Sequence, residues 1–352
     1  MLLEIKNCSK IKVKVSIMKS SFNRYKALLM LFFFTITVLW GLSSVVIKSP
    51  AIASTILRPD TLKIVQISDV HYDSTLPSKG SRMLGDSSSL LKDAIEQINQ
   101  MDGVDLVVFS GDSINQPNEC DLSAFINLAN KLKTPWYVAL GNHEVNFERG
   151  LSKEKYLQIL TSLNLNYASI NAFKPYYAIT PKKDYKIIFM DGTNEEKLSP
   201  EGEFSEEQLL WLDKKLNQYR TKKVIIVQHF PIIPPYKTTT RSHEVKNAKE
   251  YLNVIDKHNN VIAVLAGHYH CSKVVKRNNV LHITTPSLVQ YPNSFRSITF
   301  STAPSGATKV EYQIHSTNLD KIKAKSKHST GASKILLEGS KTDASNIFYL
   351  SK

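Results

Sequence analysis

Three cysteines in 352 residues are too few for a disulfide framework, which excludes the small secreted domains that depend on one. Cys8 lies in the basic N-terminal stretch, while Cys120 and Cys271 can pair only if the fold brings them together. The sequence has no internal repeat, and its central part lacks a concentration of positive charge. Of the net charge of +14, the first 26 residues carry +6 and the residues from Thr317 onward carry +4, which leaves +4 for nearly three hundred residues between them. That is an ordinary soluble surface, and no specific nucleic-acid partner is expected. With 42% apolar residues the chain has ample material for a core. Disorder throughout is excluded, and the length suits one large α/β domain or two small ones.

Long apolar runs are also scarce, with one exception. "ALLMLFFFTITVLWGLSSVVI", residues 27–47, has no charged residue, and 21 residues of helix suffice for a hydrocarbon core of ~30 Å. The cations before it (Lys6, Lys10, Lys12, Lys14, Lys19, Arg24, Lys26) against a single Glu4 would hold the N-terminus in the cytoplasm. Everything after Lys48 is then exported. A retained signal anchor fits the length of the run, and a cleaved signal peptide fits the small-x-small triplet Ala51-Ile52-Ala53. Met18 is an alternative start, because "MKSSFNRYK" makes a compact basic lead. The expected organisation is a basic cytoplasmic N-terminus over 1–26, a transmembrane segment over 27–47, a linker over 48–60, a catalytic-sized domain over 61–315, and a flexible basic tail over 316–352. The tail's Lys, Ser, Thr and Gly content argues for flexibility, although "NIFYL" (346–350) is able to dock.

Between the linker and the tail, short apolar β-rich runs alternate with amphipathic patterns. Strands are expected at 61–68, 104–110, 134–140, 184–191, 222–228 and 260–266, and helices near 87–101, 120–132, 153–162, 205–219 and 243–258. "NVLHITT", "SFRSITFS" and "ATKVEYQIH" follow without intervening helices. This predicts an α/β core with helix-covered sheets and an antiparallel section near the C-terminus.

The residues at which these strands stop carry the chemistry. The first ends in "SDVH" (Asp69, His71), the second in "SGDSIN" (Asp112), the third in "LGNHE" (Asn142, His143, Glu144), a later one in "QHF" (His229), and the last in "AGHYH" (His268, His270). The carboxyl ends of strands in open α/β sheets converge on one crevice, so these groups should meet. Taken singly, each has an ordinary explanation: an Asp after Gly as a turn former, Asn142 as a helix cap, His229 as a satisfied buried histidine. Five such coincidences at successive strand ends do not. Asp69, His71, Asp112, Asn142, His229, His268 and His270 are seven N/O donors with no thiolate, too many for one tetrahedral zinc and suited to two metals. An all-N/O set fits Mn, Fe or Zn.

The series D-x-H, G-D, G-N-H-E, H, G-H-x-H in this order resembles the calcineurin-like metallophosphoesterase superfamily over about residues 62–300. Purple acid phosphatases lack a histidine at the position of His71. Ser/Thr protein phosphatases carry G-D-x-x-D-R-G, where this chain reads "GDSINQP". The nearest resemblance is to the bacterial cyclic-nucleotide phosphodiesterase type, including the "GEFSEEQLLWLDKKL" helix. It implies a four-layer αββα sandwich of two mixed sheets with a dinuclear metal centre between them. Asp69, His71, Asp112 and His270 would hold one ion, Asp112, Asn142, His229 and His268 the other, and His143 would act as the general acid. Asn115 stands where the family usually has an aspartate, so either Glu144 or a backbone carbonyl must orient His143. The implied activity is hydrolysis of a small-molecule phosphodiester, with a phosphomonoesterase or nucleotide pyrophosphohydrolase as the rival and a non-catalytic scaffold disfavoured because every motif position is filled. "PIIPPYKTT" (231–239) and "PSLVQYPNSFR" (286–296) are expected to border the pocket.

Overall fold

The computed structural model describes residues 61–351 apart from 147–149, 165, 168–173, 197 and 237–242. The basic stretch, the apolar run 27–47 and the linker therefore lie outside the described residues. Among the described residues no helix is long and apolar enough to cross a membrane.

Two six-stranded mixed sheets make up the domain. The first contains β1 (Leu62–Ile67), β2 (Leu106–Ser110), β3 (Trp136–Ala139), β10 (Ser294–Thr302), β11 (Thr308–Ser316) and β12 (Ser345–Leu350), in the order β12-β11-β10-β1-β2-β3. β1, β2 and β3 are parallel, and β10, β11 and β12 extend the sheet antiparallel. The second sheet contains β4 (Tyr177–Lys182), β5 (Tyr185–Phe189), β6 (Lys223–Val227), β7 (Val261–Ala266), β8 (Lys273–Arg277) and β9 (Val280–Thr284), in the order β4-β5-β6-β7-β9-β8. Its central β5, β6, β7 and β9 are parallel. Parallel strands buried on both faces need near-continuous apolar runs, and "LVVFS", "KVIIV" and "VIAVLA" supply them.

Alternation along those strands separates the layers. Ile187, Phe189, Ile225, Val227, Ala263 and Leu265 belong to the core shared with the first sheet. Ile188, Met190, Val224, Ile226 and Val264 pack instead with Leu209, Leu212 and Leu216 of α4 (Glu206–Gln218) and Tyr251 and Ile255 of α5 (Ala248–Ile255). On the first sheet, α1 (Ser87–Asn99), α2 (Glu119–Ala129) and α3 (Lys153–Leu163) follow β1, β2 and β3, and the Phe109 ring meets Phe125 of α2 edge-on at 5.0 Å. The helices begin where capping residues stand: Asn118, Ser152 and Ser205 each accept from the backbone N–H three residues on. Two mixed sheets face to face with helices outside are the expected layers.

The region 316–352 corrects the sequence reading. It contains α6 (Asp320–Thr330), the short helices α7 (Lys334–Glu338) and α8 (Lys341–Ala344), and β12, whose Ser345–Leu350 pairs along β11 as the sheet's edge. The Lys, Ser, Thr and Gly content that suggests flexibility leaves few apolar side chains to dock. Docking is achieved through a few buried side chains, Ser326, Leu337, Asp343 and Leu350, and through backbone groups. Arg296 on β10, fully buried, donates to the Asp343 carbonyl at 2.7 Å and to Ser272 Oγ at 2.8 Å, and Ser272 N donates to the Leu337 carbonyl at 2.9 Å. Cys120 is exposed and Cys271 is buried beside Tyr269 and Leu337, and the two are not joined.

Candidate metal centre

All of the strand-end residues singled out in the sequence lie at the carboxyl ends of β1, β2, β3, β6 and β7. Asp69, His71, Asp112, Asn142, His229, His268 and His270 are all buried. Asp69, His71, Asp112, His268 and His270 have φ between 42° and 70°. A non-glycine residue in the left-handed region costs about 1–3 kcal/mol and persists only where surrounding structure imposes it. Five in one cluster mark a backbone bent to aim side chains inward.

The glycines of the motifs serve more than turning. Gly111 has φ 88°, and a β-carbon there would also lie 2.4 Å from His229 Nδ1. Gly267 has an ordinary backbone, but a β-carbon would come within 1.8 Å of Ser68 Oγ and 2.5 Å of Asp69 Oδ2. Each motif is therefore packed against a functional residue of another.

Two groups of donors converge. In one, His270 Nε2 lies 3.2 Å from Asp69 Oδ1 and 3.2 Å from His71 Nε2. In the other, His229 Nε2 lies 3.3 Å from Asp112 Oδ2 and 3.1 Å from His268 Nδ1. Asp112 Oδ2 is also 3.6 Å from His71 Nε2, which puts that oxygen between the groups. Within each set, Asp69–His71–His270 and Asp112–His229–His268, the donor atoms all lie within 4.8 Å of one another. Among the described residues, Asn142 Oδ1, His71 Nδ1 and His268 Nε2 are buried with no hydrogen-bond partner.

Electrostatics point the same way. Burial works to raise both carboxyls, yet His270 and His229 around Asp69, and His229, His143 and His71 around Asp112, hold them well below the usual carboxylate range. Burial and neighbouring rings or cations push His71 and His268 down, so both are neutral. His229 is pushed up to about 9: burial opposes this, but the charges of Asp112 and Asp69 and the Ser110 carbonyl outweigh it. Two buried carboxylates thus make this a place that favours positive charge. Facing nitrogens that cannot all donate, a buried amide oxygen without a partner and a pair of buried anions fit bound metal cations.

The residues around the donors fix their directions. His270 Nδ1 meets Gln290 Oε1 at 2.6 Å, and His229 Nδ1 meets the Ser110 carbonyl at 2.9 Å, partners that set the ring tautomer. Gln290 carries no sequence signal for this role beyond lying in the expected border segment 286–296. Tyr236, in the other border segment, packs against Tyr269 at 5.3 Å. His143 is partly buried, and its Nδ1 meets the backbone carbonyl of Asn115 at 2.8 Å. The carbonyl, not Glu144, orients the ring. The Asn115 side chain turns away to Asp73 Oδ2 at 2.8 Å. Glu144 accepts instead from the backbone N–H groups of Asp112 at 3.0 Å, Gly141 at 2.7 Å and Ser113, tying the β2 and β3 loops together. Burial, then the Asp112 charge, push its carboxyl up to about 8. His143 also groups with His71 and Asp112 as a further donor set, so position alone does not distinguish an acid from a ligand.

Residues 62–272 match the sequence profile of calcineurin-like phosphoesterases. Over 233 residues the chain is 28% identical to a protein of Arcobacter nitrofigilis named "probable glycerophosphodiester phosphodiesterase", a match covering 64% of this chain and 77% of that protein. It is 26% identical over 212 residues to a "probable cyclic nucleotide phosphodiesterase" of Moraxella catarrhalis, covering 60% and 72%. Among solved structures, a dimetal phosphatase from Danio rerio superposes with a TM-score of 0.59 at 20% identity, covering 73% of this chain and 96% of that one, a likeness of fold.

Proposed function

The chain belongs to the calcineurin-like phosphoesterase family, hydrolases of phosphoester bonds, and from that premise we propose that its strand-end cluster holds two divalent cations and hydrolyses a phosphodiester. The observation that carries the dinuclear reading is the place of Asp112 Oδ2, 3.3 Å from His229 Nε2 in one donor group and 3.6 Å from His71 Nε2 in the other. Asp69, His71, Asp112 and His270 hold one ion, and Asp112, Asn142, His229 and His268 hold the other. Such a pair of cations acidifies water and neutralises the oxygens of the phosphoryl group under attack. The chain's own contribution is to place and orient. Left-handed backbone at five ligands fixes their aim, and Gln290 and the Ser110 carbonyl fix the rings of His270 and His229. His143, its Nδ1 engaged by the Asn115 carbonyl, keeps Nε2 to protonate the leaving oxygen.

A phosphodiester is favoured over a monoester because the relatives named above are phosphodiesterases by name. Turnover of a panel of diester, monoester and pyrophosphate substrates, with and without Mn and with chelator, tests this. Turnover of diesters above the others and its loss in chelator are expected, whereas preference for monoesters moves the assignment to a phosphatase. The domain acts outside the cytoplasm in this reading, supported by the uncharged run 27–47 and the cations before it. A reporter fused at the C-terminus should be active only in the exported compartment, and activity in the cytoplasm would overturn that placement.

A further inference from the structure

Asp73 is a buried carboxylate in the loop of the first ligands, outside both donor groups and without a part in the function above. Its two oxygens face different ways. Oδ1 accepts from the backbone N–H groups of Thr75 at 2.9 Å and Leu76 at 2.8 Å and from the Thr75 hydroxyl at 3.0 Å, which locks the carboxylate in its own turn. Oδ2 crosses to the loop after β2, where Asn115 Nδ2 donates to it at 2.8 Å. Asn115 is itself buried, and its backbone N–H donates to the Tyr72 carbonyl at 3.0 Å. Residues 72 and 73 therefore hold both the backbone nitrogen and the side chain of Asn115. The remaining bond from its α-carbon carries the carbonyl that meets His143 Nδ1 at 2.8 Å. That carbonyl is braced on its far side as well: Asn118 Nδ2 donates to the Gln116 carbonyl at 3.2 Å, and Pro117 disfavours helical backbone at Gln116. A second staple joins the same loops through α2, where Ser74 Oγ donates to Asp121 Oδ1 at 2.6 Å.

We propose that Asp73 is a positioning residue for the general acid: acting through the Asn115 side chain, it holds the Asn115 carbonyl where that carbonyl aims His143 Nε2 at the leaving oxygen. Any residue at 115 brings a carbonyl, but only a side chain with a donor lets a buried carboxylate hold it in place. Asp73 touches no substrate and moves no proton. Its contribution is orientation, which counts because a proton donor works only within hydrogen-bond reach of the oxygen it protonates. This rests on the acid role given to His143 above and extends it.

The test is a double-mutant cycle on the full chain loaded with Mn, with two probes: a nucleoside alkyl phosphodiester, whose leaving group is an alkoxide, and bis-(p-nitrophenyl) phosphate. Loss of a hydrogen bond to a charged group corresponds to roughly 10–100-fold when it acts in full. Because Asp73 acts only through orientation, Asp73→Ala should lower kcat on the alkyl diester by about tenfold with KM little changed, and on the nitrophenyl diester by less than about threefold. Asp73→Asn should lose less, since an amide oxygen still accepts from Asn115. Asn115→Ala keeps the backbone carbonyl but frees it from the carboxylate, so it should reproduce the Asp73→Ala pattern and decides the matter if Asp73→Ala does not fold. Metal content equal to the wild type checks that His71 is undisturbed. In a His143→Ala background, Asp73→Ala should cost nothing further on the alkyl diester. Equal losses on the two probes in Asp73→Ala and Asn115→Ala, a tenfold loss that persists without His143, or no loss on the alkyl diester would overturn the positioning role. If His143→Ala is itself unselective between the probes, the acid reading fails and takes this inference with it; a selective His143→Ala beside unselective Asp73→Ala and Asn115→Ala removes the inference alone.

Discussion

Replacing His143 by alanine separates a proton donor from an eighth ligand. The ring sits edge-on to His71 with centroids 4.7 Å apart, and its Nδ1 meets the Asn115 carbonyl at 2.8 Å. The backbone carbonyl at Nδ1 leaves Nε2 as the nitrogen that faces the leaving group. General acid catalysis contributes ~10²–10⁴-fold, and a loss of about 10²-fold or more is expected for a diester with an alkoxide leaving group. Nitrophenolate departs without a proton, so the same variant should lose far less on a nitrophenyl ester. The assay is the ratio of the two losses at equal metal content. Replacement of the ligand His268 should depress both esters alike. A His143→Ala variant that loses the two activities equally while keeping its metals would refute the acid role and leave the ring as a positioning group.

Two further expectations come from parts of the fold away from the centre. His282 on β9 is buried with neither ring nitrogen hydrogen-bonded among the described residues, and burial, helped by the Arg277 charge, pushes it down to about 4. The unfolded chain takes up that proton near pH 6.5, so the stability associated with the neutral ring is complete above pH 6.5 and is lost as pH falls toward 4, by up to about 3 kcal/mol. His282→Leu should narrow the gap between chemical-denaturation stabilities at pH 7 and pH 4.5, and an unchanged gap would contradict the assignment. Ending the chain after Ser316 should lower the melting temperature markedly and promote association. It removes β12, leaves β11 as an open edge and strips the buried Arg296 of the Asp343 carbonyl. A truncated protein that melts with the full chain would show that the C-terminal segment is dispensable.

The centre was more legible in the sequence than the frame behind it. Strand ends followed by G-D, G-N-H and G-H-x-H are local patterns, and the chemistry they need is carried by the residues themselves. Gly267 and Gly141 illustrate a limit, since the sequence suggests sharp turns where the structure requires room for Ser68, Asp69 and Asp112. What orients His143 could not be read either, because the orienting group is a backbone carbonyl that any residue at 115 supplies. β8, "KVVKR", and β4, "YAITPK", carry too much charge or too little alternation to stand out, and both are edge strands. The C-terminal segment was misread because its attachment is polar and sparse. Arg296, Ser326 and Asp343 make buried contacts across long sequence separations, with no periodicity to announce them.

The central claim is a two-ion centre shared through Asp112, and metal stoichiometry tests it most directly. After loading the full chain with Mn or Zn and removing excess, elemental analysis should find about two ions per chain, and Asp112→Ala should weaken both rather than one. At most one ion per chain in the wild type, or an Asp112→Ala variant that keeps one site at full affinity, would contradict the account.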